Sequence, residues 1–182
     1  MRSAGILTLG CKVNTYESQA MARLFEKNGY TRIEFKEKAD VYVINSCTVT
    51  SESDRKTRQC VRHYKKKYPD SIIVLTGCMP QSFPEMAEML TEADIVLGNK
   101  NNKLLVKALN EHLSAGCRTL FMEQHQSGES LVSSGISNFE ERTRAILKIE
   151  DGCDRFCSYC IIPKARGRVR WKPIEDVKKE VD

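Results

Sequence analysis

Long hydrophobic stretches are absent from this 182-residue sequence. Its longest apolar runs, such as Ile72–Leu75 and Ile95–Leu97, are a few residues long, whereas a membrane-spanning helix needs about 20 apolar residues. The N-terminus also has no hydrophobic region of the kind that defines a secretory signal peptide. These absences predict a cytoplasmic protein with no membrane partner.

A strong excess of one charge is absent too, since the net charge is only +5. This balance suits a polyanionic partner but does not require one. The hydrophobic fraction of 41% is enough for a buried core. Cysteine, by contrast, is abundant, with eight residues. A disulfide scaffold would be shorter and secreted, so the cysteines predict metal or cluster ligation.

Residues 1–123 alternate between strand and helix patterns. Strands buried on both faces that alternate with helices predict an α/β domain with a doubly wound parallel sheet. Asn14 is predicted to cap the first helix with Glu17 reaching back to it, and Asn28-Gly29 to end that helix. The five predicted strands are Gly5–Leu9, Val41–Asn45, Ser71–Thr76, Ile95–Leu97 and Arg118–Phe121.

A second region follows this domain. Residues 124–141 are rich in Gln, Ser and Gly and predict a linker. Arg144–Ile149 then has the pattern of a new strand, followed by a cysteine loop and a helix from Pro173 onward. We therefore expect a second domain over residues 142–182, of which this sequence contains only the beginning.

Three cysteines, here called the early cysteines, share a position relative to the predicted strands. Cys11, Cys47 and Cys78 each follow a strand directly, and Gly precedes two of them, which permits a sharp turn. Because the ends of parallel strands meet at one edge of a sheet, we expect the three thiols to cradle an iron–sulfur cluster there. The alternative is that they are small buried residues at strand ends.

Three further cysteines, here called the late cysteines, carry the sharpest motif. The CxxxCxxC spacing of Cys153, Cys157 and Cys160 places them in one loop without a fourth cysteine or histidine nearby. Tetrahedral zinc sites use four ligands, commonly in paired CxxC halves, and ferredoxin runs have another order. The motif therefore predicts a four-iron cluster with one open iron, where a small molecule can bind.

The late motif resembles that of the radical S-adenosylmethionine superfamily. The wider sequence is similar to one of its families, the methylthiotransferases, and the matching segments are Thr8–Asn14, Asn45–Thr50, Thr76–Cys78 and Lys148–Pro163. This resemblance implies that residues 142–182 are the first β-strand, cluster loop and helix of a partial TIM barrel. It also implies that the chain is an N-terminal piece of a longer enzyme and is inactive by itself.

The resemblance further implies two [4Fe-4S] clusters and S-adenosylmethionine as cofactors. The cluster on the late cysteines would bind S-adenosylmethionine and, with an electron from a cellular donor, cleave it to methionine and a deoxyadenosyl radical. Tyr159 would pack beside the adenine, and this role is compatible with the simpler interpretation of Tyr159 as a core aromatic residue. The early cysteines would hold an auxiliary cluster implicated in sulfur delivery.

Segment Gly10–Asn14 resembles the branch of the family that acts on threonylcarbamoyladenosine beside the tRNA anticodon, so tRNA and not DNA is the expected nucleic-acid partner. Two alternatives are a methylthiotransferase acting on isopentenyladenosine tRNA and one acting on a ribosomal protein. A third is a non-catalytic iron–sulfur or metal-binding module. Lys164 departs from the tyrosine expected after Ile161-Ile162-Pro163.

Several other residues are predicted to lie outside any site. Cys60 and Cys117 are interpreted as packing residues and His125 as a surface residue. The basic stretch Lys164–Lys172 follows the late cysteines directly. It is predicted either to contact RNA phosphates or to be a solubilising loop.

Overall fold

The structure, a computed structural model, describes residues 2–126, 128, 129, 131 and 145–181. The strands of the larger part are β1 Ser3–Thr8, β2 Thr31–Ile33, β3 Val41–Ser46, β4 Ile72–Gly77, β5 Ile95–Leu97 and β6 Thr119–Phe121. Its helices are α1 Lys12–Lys27, α2 Ser51–Lys67, α3 Cys78–Ser82, α4 Pro84–Glu88, a 3-10 helix Asn99–Leu104 and α5 Leu105–Ala115.

The six strands form one sheet in the order β2-β1-β3-β4-β5-β6, and every pair is parallel. The predicted α/β fold with a doubly wound sheet is therefore confirmed. The strand order reverses between β1 and β3, and the carboxyl ends of the strands at such a point are where open α/β sheets bind ligands. Strand β2 was not predicted, because its three residues are partly or fully exposed and carry no hydrophobic pattern.

The core lies on both faces of the sheet because the central strands are apolar on both sides. On β3, Val41 and Val43 belong to the cluster that contains Phe25 of α1 and Leu105 of α5. Tyr42 and Ile44 point the other way, into the cluster of Val61, Leu75 and Met79. Since burial of one large side chain contributes about 2 kcal/mol, these two clusters fix the sheet between its helix layers.

Helix α1 begins earlier than predicted. Cys11 occupies the N-cap position, and the helix ends at Asn28 and Gly29 as predicted. Asn14 is therefore not the cap; it is fully buried inside the first turn. Glu17 does not reach back to the helix start but pairs with residues far along the chain. The local capping pattern was overridden by tertiary contacts.

Residues 145–181 contain β7 Glu150–Asp151, α6 Ile162–Arg166, β8 Arg170–Trp171 and α7 Ile174–Val181. The predicted strand Arg144–Ile149 is wrong for residues 145–149, which have no regular structure, and Arg144 lies outside the described residues. A strand needs a partner, and β7 pairs with β8 for two residues only, in antiparallel fashion. The predicted helix after Pro173 is confirmed as α7.

The predicted boundaries of the linker and the second domain stay predictions, and most of the linker lies outside the described residues. Where it is described, the late region is in contact with the sheet domain, because α6 packs against α3 and the 3-10 helix. Across the described residues, no helix has the length and apolar character needed to span a membrane.

Candidate functional site

The early cysteines follow three neighbouring strands. Cys11 follows β1 and begins α1, Cys47 follows β3, and Cys78 follows β4 and begins α3. In the ladder between β3 and β4, Ser46 lies opposite Gly77, so Cys47 and Cys78 each come directly after a paired residue. All three residues are thus at the carboxyl edge of the sheet, beside the point where the strand order reverses.

Two glycines bring these strand ends into close contact. Gly10 has φ +117°, and a Cβ there would lie 2.6 Å from the Cβ of Cys47. Gly77 has φ +101°, and a Cβ there would lie 2.3 Å from the carbonyl oxygen of Ser46. Only glycine fits both the backbone conformation and the space at these positions. Gly10, which precedes Cys11, therefore packs against the side chain of Cys47, and Gly77, which precedes Cys78, packs against the backbone of Ser46.

Asn14 ties the ends of β1 and β3 together. Its side-chain amide donates to the carbonyl oxygen of Ser46 at 2.8 Å, and its backbone carbonyl accepts from the side-chain amide of Asn45 at 2.9 Å. The Oδ1 atom of Asn14 accepts a hydrogen bond from the Cys11 thiol at 3.3 Å. This buried asparagine therefore fixes the position of Cys11 relative to the strand that precedes Cys47.

The early cysteines differ in exposure. Cys47 and Cys78 are 5% and 3% exposed, whereas Cys11 is exposed. Burial raises the pKa of the Cys78 thiol to about 11, although the guanidinium of Arg166 acts in the opposite direction. The Nη2 atom of Arg166 lies 3.6 Å from the Cys78 sulfur. The guanidinium of Arg166 thus lies in contact with Cys78, the most buried of the early cysteines.

The late cysteines occupy a more open loop. Cys153 donates its backbone N–H to the carbonyl of Gly167 at 3.1 Å, and Cys160 donates to Cys157 at 3.0 Å. Cys157 is exposed, and the other two thiols are partly exposed. Phe156 has φ +47°, which is uncommon for a residue with a side chain and marks a tight local turn.

All six of these cysteines are free thiols in the structure. Within the part of the chain that the structure describes, no three His, Cys, Asp or Glu side chains are arranged to hold a metal ion. Metal ligands are often drawn together only when the metal binds, because binding and folding are coupled. The carboxyl edge of the sheet that carries Cys11, Cys47 and Cys78, here called the early edge, fits a cluster because its donors are thiols and glycines line its backbone. Ligation of a cluster by the early or the late cysteines stays a prediction.

Tyr159 is 90% exposed, so the interpretation of this residue as a core aromatic is wrong. It lies in the same loop as Phe156, which is 52% exposed and has the guanidinium of Arg168 over its ring at 4.9 Å. Contact of Tyr159 with an adenine stays a prediction.

Both interpretations of the basic stretch are wrong for three of its residues. Arg166 and Lys172 are buried, and the side chain of Arg170 is only 9% exposed. These residues form ion pairs instead of facing solvent or RNA. Arg168 is the contrasting neighbour, since its side chain is 58% exposed. Sequence reasoning missed this because the pairing partners are distant, as with Glu17, which lies 149 residues before Arg166.

The buried ion pairs form one network beneath the early edge. Arg166 lies 2.7 Å from Glu17 and 3.2 Å from Asp151, and Lys148 lies 3.0 Å and 2.6 Å from the same two carboxylates. Burial alone would raise the pKa of Glu17 and Asp151, but Arg166 and Lys148 outweigh it and lower both. Two cations therefore balance two carboxylates in the protein interior.

His125 was predicted to be a surface residue, and this prediction is wrong. It belongs to a second polar cluster. Its side chain is 7% exposed, with Nδ1 accepting from Arg170 at 2.9 Å and Nε2 facing Asn99 Oδ1 at 2.9 Å. Burial and Arg170 lower the pKa of His125, so it is held neutral. The packing role predicted for Cys117 is also wrong, since Cys117 is exposed, whereas Cys60 is half-buried.

A cavity of about 870 Å³ lies beside the buried network. The network residues Glu17, Lys148 and Asp151 line it, together with α1 and the 3-10 helix. The described residues that line this cavity include no cysteine. The cavity is therefore separate from the edge at which the early cysteines lie.

The fold and the cysteine positions together define a class of protein. It has a doubly wound α/β domain with a cysteine after each of three adjacent parallel strands, and a family model matches this chain. Residues 3–98 match the family described as Uncharacterized protein family UPF0004, and the chain belongs to this family.

The relatives of the chain are methylthiotransferases. It is 38% identical over 180 residues to the threonylcarbamoyladenosine tRNA methylthiotransferase MtaB of Bacillus subtilis, covering 99% of this chain and 40% of that protein. It is 39% identical over 181 residues to MtaB of Thermotoga maritima, with the same coverage. The ribosomal protein uS12 methylthiotransferase RimO of a Thermoanaerobacter species is 30% identical over 187 residues, covering 100% of this chain and 42% of that protein.

These similarities confirm the resemblance to methylthiotransferases that the sequence predicted. The chain spans about 40% of the length of the curated relatives it matches.

Proposed function

We propose that this chain is part of a tRNA methylthiotransferase that adds a methylthio group to threonylcarbamoyladenosine beside the anticodon. The observation that carries the proposal is the meeting of three cysteine-bearing strand ends at one glycine-lined edge, with Arg166 of the late region beside Cys78. The relatives named for this tRNA modification, at 38% and 39% identity over nearly the whole chain, support the choice of substrate.

In this proposal each set of three cysteines holds a [4Fe-4S] cluster. Bound clusters of this kind supply the electron for cleavage of S-adenosylmethionine and a site for the sulfur that is transferred. The early cysteines would hold the auxiliary cluster on a rigid edge, with Cys47 and Cys78 shielded from water. The late cysteines would leave one iron open for S-adenosylmethionine, and Tyr159, next to Cys160, would contact its adenine.

The proposed partners are tRNA and a cellular electron donor, and the proposed location is the cytoplasm. Among the basic side chains after the late cysteines, only the exposed ones are candidates for RNA phosphate contacts. Arg168 is 58% exposed, and its pair with Asp154 at 3.6 Å lies at the surface, whereas Arg166, Arg170 and Lys172 form buried ion pairs. We expect the 182 residues alone not to methylthiolate tRNA, because the matched relatives are more than twice as long.

Iron and acid-labile sulfide content after anaerobic reconstitution tests the cluster part of the proposal. We expect about eight irons per chain and about four when Cys153, Cys157 and Cys160 are all changed to Ala. The matched control changes the two remaining cysteines, Cys60→Ala and Cys117→Ala, and should leave the iron content unchanged. Bound zinc, or iron content insensitive to the triple change, would contradict a cluster on the late cysteines.

Mass spectrometry of nucleosides tests the substrate. In cells that lack the gene, we expect the methylthio group to disappear from threonylcarbamoyladenosine in tRNA. Its loss from isopentenyladenosine or from a ribosomal protein instead would contradict the proposed substrate and assign one of the alternatives. Methylthiolation of tRNA by the purified 182-residue chain would contradict the expectation that it is inactive alone.

A further inference from the structure

Arg166 connects the two sets of cysteines. It ends α6, six residues after Cys160, and is only 3% exposed. Its Nη2 atom lies 3.6 Å from the sulfur of Cys78 and 3.3 Å from Asn14 Oδ1, the oxygen that also accepts from the Cys11 thiol. A single guanidinium from the late region therefore reaches two of the three early strand ends.

The carboxylates around Arg166 hold it in place, and a second cation, Lys148, shares in neutralising them. Glu17 accepts from both terminal nitrogens at 2.7 Å and 3.1 Å, and Asp151 accepts at 3.2 Å. Lys148 contacts the same two carboxylates, and Arg170 lies 3.5 Å from Asp151. Arg170 also pairs with Glu129 at 3.1 Å, so Arg166 and Lys148 are the cations that balance Glu17 and Asp151. The network is therefore not anionic, and Nη2 of Arg166 faces the Cys78 sulfur at 3.6 Å.

The contacts also require the shape of arginine. One side chain must reach Glu17 with two nitrogens while it also contacts Asp151, Asn14 and the sulfur of Cys78. A planar guanidinium with five donors in a fixed fork can do this, whereas an ammonium group supplies the charge but not the fork. The geometric and electrostatic roles of Arg166 can therefore be separated by substitution.

We propose that Arg166 is a positioning residue that holds the late cysteine segment against the carboxyl edge of the sheet and places a positive charge beside the sulfurs held there. The first half of this statement concerns the polypeptide alone. The second half rests on the proposed function, since it requires the early cysteines to hold an anionic iron–sulfur cluster.

Hydrogen exchange tests the first half on the full 182-residue chain. In Arg166→Gln we expect at least tenfold faster exchange of the amides that close the late region, Cys153 N–H to Gly167 and Lys172 N–H to Ile149. Exchange of the Leu9 N–H bonded to Asn45 in the sheet should be unchanged. Arg166→Lys should also exchange faster than the unsubstituted chain, because it lacks the fork, but the closed state should stay the major one so that the ammonium remains near the sulfurs. The control is Arg168→Gln, an exposed neighbour whose contacts with Asp154 and Phe156 lie at the surface, and it should change neither.

The reduction potential of the early cluster tests the second half. It is measured in the variant whose three late cysteines are Ala, so that only one cluster is present. We expect Arg166→Gln to make the potential more negative, because a nearby cation favours the reduced and more negative cluster. Arg166→Lys should largely restore the potential, which loss of structure alone would not explain. Arg168→Gln should leave it unchanged.

Each outcome decides a different part of the proposal. If Arg166→Gln exchanges like Arg168→Gln, the positioning role is wrong. If exchange increases but the potential does not move, the charge does not act on the sulfurs and that half is overturned. If no iron binds, the proposed function fails while the exchange experiment still decides the positioning role. Should Arg166→Gln fail to fold, the double variant Glu17→Gln/Arg166→Gln keeps the remaining network balanced and gives the same test.

Discussion

Cys47 and Cys78 lie buried at the ends of adjacent parallel strands, whereas Cys157 lies exposed in a loop whose nearest regular elements are two residues and five residues long. The early edge is held by the sheet ladder and by glycines pressed against backbone. The late region is held to the same domain by the buried ion pairs of Arg166 and Lys148 with Glu17. The same chemical group, a triplet of thiols, is thus presented once on a rigid support and once on an attached segment.

This difference follows from what each support can stabilise. A central parallel strand satisfies its backbone with neighbours on both sides and buries both faces, so its end has little freedom. In residues 145–181, β7 and β8 pair with each other for two residues, and α7 leaves its apolar residues Ile174 and Val181 exposed. Charged contacts with α1 therefore add to the packing of α6 against α3 as the means of attachment, and they should be sensitive to substitution and to pH.

The largest effect is expected at the rigid edge, from Gly77→Ala. The new Cβ would lie 2.3 Å from the Ser46 carbonyl at a φ of +101°. Backbone strain and overpacking together should lower the free energy of unfolding by about 4 kcal/mol. The control is Gly116→Ala, where φ is +64° and nothing lies within 4 Å, with an expected loss of about 1 kcal/mol. Urea unfolding measures both, and equal losses would contradict the close contact between the strand ends.

The attached region is tested by Lys172→Gln. Lys172 pairs with Glu180 and donates to the hydroxyl of Tyr16 on α1 at 3.1 Å, with only 1% of its side chain exposed. Removing it leaves the Glu180 carboxylate buried and should cost about 3 kcal/mol of the attachment of α7. Faster hydrogen exchange in α7, with unchanged exchange in the sheet, is the expected result.

Lys178→Gln is the matched control, because its pair with Glu175 is exposed and should contribute less than about 0.5 kcal/mol. If both variants exchange alike, or if the sheet loosens together with α7, then the late region is not attached separately through Lys172.

The comparison also shows which features a sequence can predict. The sheet and the position of the early cysteines could be predicted from local patterns. A continuous apolar run and the residue that directly follows it lie within one short segment of the sequence. The capping role predicted for Asn14, the exposed role predicted for His125 and the solvent-facing role predicted for three residues of the basic stretch were wrong. Each depends on a partner far away along the chain, such as Arg170 for His125, and no local pattern encodes that distance.

A smaller effect is expected from acid. The pKa of Glu17 is lowered by Arg166 and Lys148 despite burial, and the pKa of Glu129 is lowered to about 2 by hydrogen bonds that outweigh its burial. A carboxylate with a depressed pKa stabilises the folded state above its unfolded pKa, near 4.3, and this contribution is lost as pH falls through the folded value. The late region should therefore loosen progressively below about pH 5.

The single tryptophan, Trp171 in β8, is 68% exposed, so the loosening is followed through the mobility of its side chain, measured as fluorescence anisotropy. We expect its acid transition at a higher pH than the far-ultraviolet dichroism of the sheet domain. In Glu129→Gln the fluorescence transition should become less steep. Coincident transitions for both signals would contradict an attachment that depends on these carboxylates.

The smallest perturbation needs no substitution and compares the thiols themselves in the reduced, metal-free chain. Alkylation followed by peptide mass spectrometry should label the exposed residues Cys11, Cys117 and Cys157 first. Buried Cys47 and Cys78 should react at least about 100-fold more slowly, because they require local opening of the strand ends. Cys60, half-buried on α2, is the internal control for ordinary packing. If Cys47 and Cys78 reacted as fast as Cys157, the carboxyl edge would not be the rigid support inferred here, and the contrast between the two thiol sets would disappear.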